Sequence, residues 1–177
     1  GIIGINAGAG VAIAIFFQIE FVFLQVFTDF TCASLKGRGI HKASVLLDKY
    51  MGDKIGTAYT LKIDINKFYP SINHDILKRL LRKKFKDADL LELLDKIIDS
   101  IPGDKGVPIG SYLSQYLANF YLAYFDHWLK EQMGVQYVIR YMDDIVILHH
   151  SKKFLHWLKR KIDNYLKQEL ELTVKDN

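Results

Sequence analysis

The stretch VIRYMDDIVIL, residues 138–148, sets two adjacent carboxylates, Asp143 and Asp144, between apolar runs. An unpaired carboxylate in such surroundings is costly, because it loses water without gaining a partner. Asp is a common turn residue, which accounts for one of the two. It does not account for a turn with neither Gly nor Asn and with such apolar flanks. A divalent cation accounts for both. Hard oxygen ligands suit Mg²⁺, which keeps much of its own water and takes one or two carboxylates plus substrate phosphates. The stretch LKIDINKFYPSI supplies a third carboxylate, Asp64, where an alternating run ends. Alone, Asp64 reads as a solvated strand-end acid. Beside a hairpin carrying Asp143 and Asp144, it completes a three-aspartate cluster on one sheet edge. That is the set required by phosphoryl transfer with two metal ions about 3.5–4 Å apart.

Such a cluster needs strands and helices to hold it. AYTLKIDI alternates like a strand, with Tyr59, Leu61 and Ile63 on one face. VQYVIRYM and IVILHH read as the two arms of a hairpin around the acidic pair. Residues 35–42, LKGRGIHK, read as a basic glycine-bearing loop, and SVLLDKYM as a short helix. PSIN breaks the chain, and a helix starts near Asn73 with Ile76, Leu77, Leu80, Leu81 and Phe85 on one stripe. DADLLELLDKIIDS forms another helix, and IPGDKGVPIGS a loop. A long helix is expected from about Ser111 to Met133, on the 3.6 period of Leu113, Tyr116, Leu117, Phe120, Tyr124 and Trp128. SKKFLHWLKRKIDNYLKQEL forms a helix with Leu155, Leu158, Ile162, Tyr165 and Leu166 inward, and LELTV a last strand. The alternation predicts an α+β domain, an antiparallel sheet backed by helices on one face.

Bulk composition is permissive. The chain has 177 residues, half of them hydrophobic and 13% aromatic, enough for a sizeable core. Twenty-four basic against 20 acidic residues leave a net charge of +4, compatible with a polyanionic partner without identifying one. One cysteine, Cys32, excludes an internal disulfide and points to a reducing, cytoplasmic setting. The apolar residues 1–27 lack a basic start and a signal-cleavage pattern, and Gln18 and Glu20 disfavour a membrane span, so a core helix is expected there and no membrane partner. The six histidines show no zinc-type spacing.

DINKFYPSI, GVPIGSYLSQYLAN and YMDD, in that order, resemble the three central palm motifs of reverse transcriptases, and the resemblance runs from about Phe27 to the end. It implies a polymerase palm over residues 59–177 and partial fingers over 1–58. The chain starts without Met and stops at TVKDN, which reads as a fragment truncated at both ends, with thumb and primer grip absent. The metal set it implies is Asp64, Ile65, Asp143 and Asp144 around two Mg²⁺ ions, for which Mn²⁺ can substitute. Asp64 and Asp143 are the direct ligands, Asp144 assists, and Ile65 supports the strand. Tyr69 matches the ring under the sugar of the incoming nucleotide, where bulk would clash with a 2′-hydroxyl; Phe68 is the other candidate. Ile109, Gly110, Ser114 and Gln115 fall in the segment that holds the template base and nucleotide, with Ser111 as a helix N-cap. Lys175 occupies a position where the family often has a lysine that contacts the triphosphate or protonates pyrophosphate. Lys36, Arg38, His41 and Lys42, with Tyr141 and Met142 at the turn, form the nucleic-acid-binding set.

One departure is informative. Many reverse transcriptases have Gln where this chain has Ile109, and Pro where it has Gln115. The apolar residue and the SQ pair resemble the enzymes of diversity-generating retroelements and their phage-type bacterial relatives, in which the change accompanies error-prone copying. The implied partners are an RNA template, a DNA or RNA primer and deoxynucleotides, with an accessory protein left open. The same residues also admit a retron-type or defence-type enzyme, or a truncated inactive copy that binds nucleic acid without polymerising.

Overall fold

The structure is a computed structural model that describes residues 20–107 and 112–175. Its centre is a three-stranded antiparallel sheet of order β1–β3–β2, from β1 (Tyr59–Asp64), β2 (Tyr137–Tyr141) and β3 (Asp144–His149). Along β1, Ile63 is buried and Leu61 half-buried while Thr60 and Lys62 are exposed, but Tyr59, expected on the inner face, is exposed at the strand start. The helices are α1 (Ile40–Met51), the single turn α2 (Phe68–Ser71), α3 (His74–Lys84), α4 (Ala88–Ile98), α5 (Tyr112–Tyr121), α6 (Ala123–His127) and α7 (Lys152–Leu170). This is the expected α+β arrangement.

Caps explain where helices begin. Asn73, Asp87 and Ser151 each accept a hydrogen bond from a backbone N–H three residues on, at 3.0, 2.8 and 3.2 Å. Asp75 in the first turn of α3 and Arg82, Lys83 and Lys84 in its last turn oppose the helix dipole favourably. The predicted inner stripe of α3 is buried, as are Leu155, Leu158, Ile162 and Leu166 of α7, with Tyr165 half-buried.

Three expectations change. Helix α1 starts at Ile40, so the basic loop ends at Gly39, which takes φ 126°, a conformation open mainly to glycine. The long helix is broken at Leu122 and widens into a π-helical turn over Trp128–Gln132, closed by Met133 N–H donating to Trp128 O at 3.0 Å. Tyr116 through Ala123 are all buried, so packing on every side overrides the single stripe that the period suggested. The last strand is replaced by one antiparallel bridge, Ile65 to Val174, because α7 runs on through Leu170 and leaves few residues to pair.

The main core joins Ile63, Ile145 and Ile147 of the sheet to Leu117 of α5 and to Leu158 and Ile162 of α7. Helix α1 sits elsewhere, packing Ala43 against Ile139 and Cys32, so the helices do not all share one face. Residues 20–24 are helical and bury Phe23 edge-on to Phe85 and Phe120, each at 5.2 Å. The remainder of the helix expected over 1–27 lies outside the described residues. No helix among the described residues is long and apolar enough to cross a membrane.

Candidate active site

Register brings the carboxylates together. Asp64, the last residue of β1, is the antiparallel partner of Asp144, the first of β3. The β2–β3 hairpin turns on Met142 and Asp143, and Ile65 N–H donates to Asp143 O at 3.3 Å. Met142 takes φ 54°, an uncommon value for a residue with a side chain, and its side chain is buried.

The cluster is electrostatically loaded. Burial, and then the charges of Asp64 and Asp144, push the Asp143 carboxyl above the ordinary carboxylate value, against a pull from Lys175. Lys175 Nζ lies 2.6 Å from Asp64 Oδ1 and 2.7 Å from Oδ2, and Lys62 Nζ lies 3.4 Å from Asp144 Oδ1. Lys175 thus pairs with both oxygens of Asp64, while the buried Asp144 Oδ1 accepts no hydrogen bond. Three carboxylates gathered at one sheet end, with Asp144 Oδ1 buried and accepting no hydrogen bond, fit a divalent cation. Among the described residues no three acids, histidines or cysteines close into a ready-made metal cage. Mg²⁺ does not need one, since water and substrate phosphate fill its remaining positions.

Beneath the turn lies a polar network. Arg140 and Asp126 are both fully buried. Arg140 Nε and Nη2 donate to Asp126 at 2.8 and 2.6 Å, and Nη1 donates to Asn119 Oδ1 at 3.1 Å and to Met142 O at 3.0 Å. Thr31 Oγ1 donates to Asp126 at 3.0 Å, and Asn119 Nδ2 donates to Ala33 O at 3.0 Å. One guanidinium thus ties α5, α6 and the segment before α1 to the carbonyl at the hairpin turn.

The sequence model of the family described as reverse transcriptase (RNA-dependent DNA polymerase) matches residues 14–177. The chain belongs to the reverse transcriptase family. A protein ascribed to COX1/OXI3 intron 2 of Saccharomyces cerevisiae is 31% identical over 81 residues, which is 41% of this chain and 10% of that protein. Its intron 1 counterpart is 24% identical over 89 residues, 45% of this chain and 11% of that one. Among solved structures, apo telomerase from Candida tropicalis truncated from its C-terminal domain superposes with a TM-score of 0.67 at 17% identity, over 92% of this chain and 39% of that chain. Telomerase from Candida albicans with a fragment of telomeric RNA gives 0.67 at 10% identity, over 89% and 33%. These likenesses show the fold. The chain spans about a tenth of the yeast intron proteins and little more than a third of the telomerase chains.

The remaining residues of the reverse transcriptase motifs fall out as follows. Phe68 is 2% exposed and belongs to the core. Tyr69 beside it is half-buried, the more exposed ring of the two, and burial and the Asp143 charge raise its hydroxyl pKa. Pro70 lies inside α2, within the first turn where its missing N–H costs nothing. Ile65 is fully buried and supports the strand end. Ser114 is buried in α5 and Gln115 half-buried. Ile109, Gly110 and Ser111 lie outside the described residues. Lys36 and His41 are exposed and Lys42 half-exposed, whereas Arg38 Nη1 donates to Thr28 O and Thr31 O at 2.6 and 2.9 Å and braces its own loop. Tyr141 is exposed, and Met142 is buried and so offers no side chain to nucleic acid.

Sequence reasoning missed Asn119, Asp126 and Thr31. The signal was present: Arg140 is the one cation in an apolar strand run, and Asn119 and Asp126 stand seven residues apart, two helical turns, on a helix otherwise apolar there.

Proposed function

We propose that this domain is the catalytic palm of an RNA-directed DNA polymerase, extending a primer 3′-hydroxyl with deoxynucleotides on an RNA template. The observation that carries the reading is Asp64 facing Asp144 across β1 and β3, with Asp143 at the turn. Asp64 and Asp143 hold divalent metal, Asp144 assists, and Lys175 reaches the triphosphate or pyrophosphate. Bound Mg²⁺ would supply the Lewis acidity that activates the 3′-hydroxyl and stabilises charge on the leaving group. Tyr69 closes the space under the sugar. Tyr141, Lys36, His41 and Lys42 face template and primer phosphates, which supply affinity without sequence choice. Residues 59–177 form the palm and 1–58 a fingers portion rooted in the same core through Phe23, Phe27 and Phe30. We place the protein in the cytoplasm, on the strength of the unpaired Cys32.

The test is primer extension on a defined RNA by the full-length protein, together with its melting temperature at rising Mg²⁺ or Mn²⁺. Extension and melting temperature should both require and respond to the metal. Asp143→Asn should remove both responses while the protein stays folded. Metal-independent extension, or an Asp143→Asn enzyme that extends normally, refutes the assignment.

A finer reading rests on Ile109, which cannot make the hydrogen bond that Gln would. One such bond is worth about 0.5–1.5 kcal/mol net, roughly a two- to twelve-fold change in discrimination. The enzyme is then an error-prone copier of the diversity-generating kind, and Ile109→Gln lowers its error rate within that range. Sequencing the products decides it: a parent that is already accurate, or a variant whose errors are unchanged, rules this finer reading out.

A further inference from the structure

The end of the sheet away from the aspartates carries a cluster that the catalytic reading leaves unused. β3 ends at His149, five residues from Asp144, about 17 Å along an extended strand. Four rings meet there in series. His150 stacks on His149 with centroids 4.2 Å apart, His149 on Phe154 at 4.2 Å, and Phe154 leans on Trp157 at 5.5 Å. The inner two are half-buried and the outer two exposed, Trp157 at 37%. Ser151 N–H donates to His149 Nδ1 at 3.0 Å, which fixes that ring in place.

Cations surround the rings. Residues 152–161 hold Lys152, Lys153, Lys159, Arg160 and Lys161 and no acid. Lys159 pairs with Asp163 at 2.9 Å, and the other four have no ion pair among the described residues. Lys161 Nζ sits 5.8 Å from the Trp157 ring centroid. Lysines in the first turn of α7, with no acid there, oppose the helix dipole. The helix dipole therefore gives no reason for Lys152 and Lys153. A groove of about 790 Å³ runs along this face, lined by Ser151, Phe154, Trp157 and Arg160 among others.

We propose that this face binds a single-stranded polynucleotide, with bases stacked on Trp157 and His150 and phosphates on Lys152, Lys153, Arg160 and Lys161. Exposed flat rings interleaved with unpaired cations suit unstacked bases on a charged backbone. An acidic peptide would use the cations and leave the rings idle. The site goes beyond the catalytic reading and does not rest on it.

Fluorescence anisotropy of labelled oligouridine and oligothymidine on the full-length protein tests it, with a 4-thiouridine probe to locate contact by crosslinking. Trp157→Ala should weaken binding roughly five- to 150-fold, the range for one base–aromatic stack, and Trp157→Phe should keep most of the affinity. Lys152→Gln with Arg160→Gln should flatten the salt dependence by about 0.7 per cation removed. Crosslinks should fall on the peptide carrying Trp157. Binding of both oligomers, or of one, that Trp157→Ala weakens supports the site and names the source as RNA, DNA or either. Affinity unmoved by Trp157→Ala in a protein with parental circular dichroism overturns the proposal, even if the cation variants weaken binding, since a plain basic patch behaves that way. Crosslinks confined to other peptides overturn it as well.

Discussion

Lys175 holds both oxygens of Asp64, and that carboxylate is also one of the two proposed direct metal ligands. The ammonium reduces repulsion among the three acids in the metal-free protein, and its charge opposes a cation arriving beside it. Lys175→Ala should therefore lower the Mg²⁺ concentration for half-maximal thermal stabilisation several-fold, while slowing nucleotide transfer if the side chain also serves the triphosphate. A titration followed by melting separates these effects; an unchanged midpoint means the ammonium leaves before metal binds. Tyr69 makes an independent case. With Phe68 committed to the core, Tyr69→Ala should raise ribonucleotide use relative to deoxynucleotide by about tenfold or more, a change of roughly 1.4 kcal/mol. An unmoved ratio would make Tyr69 a packing residue.

At the scale of elements, the β2–β3 hairpin is held from below by Arg140 rather than by turn chemistry. Arg140→Met strands the fully buried Asp126 charge and should cost about 3–5 kcal/mol in urea denaturation. Asp126→Leu added to it removes that stranded charge and should recover much of the stability. Primer extension should not recover, because the Met142 carbonyl still lacks its donor at the turn. Recovery of both would reduce the network to packing. The three strands of the sheet, the gathering of the aspartates at one sheet edge and the helix start near Asn73 were legible in the sequence, because alternation and a chain break are local signals. The break at Leu122 and the π-helical turn were not, since they answer to burial on all sides. The Arg140–Asp126–Asn119 network was half legible. Each polar residue stood out on an apolar face, but pairing across 14 and 21 residues is a tertiary fact. For Phe68 and Tyr69 the sequence named both rings, and only the fold separates them.

Across the whole molecule, the turn after helical residues 20–24 is tied to the later helices through His127, whose ring nitrogens lie 2.9 Å from Val26 O and 2.7 Å from Glu131. Burial alone would lower the imidazole pKa, but Glu131 and the Val26 carbonyl outweigh it and hold the pKa above the ordinary 6.5. A raised folded value means that stability from this contact is fully present below pH 6.5 and fades as pH climbs through the folded value. Melting temperature should thus fall modestly across that range, and His127→Gln should flatten the decline; equal slopes would show that the ring does not titrate. The sheet imposes a different condition on the molecule. On β2 the free edge is covered where Arg140 bridges Thr31, whereas β1 has no partner on its outer edge from Tyr59 to Ile63 among the described residues. An open edge invites strands of other molecules. Thr60 and Lys62 make that edge polar and charged, so Lys62, which also faces Asp144, guards against intermolecular sheet growth. Lys62→Val should leave the monomer folded yet speed the rise of turbidity at high concentration, and should do so most at low salt, where the lysine repels its copies best.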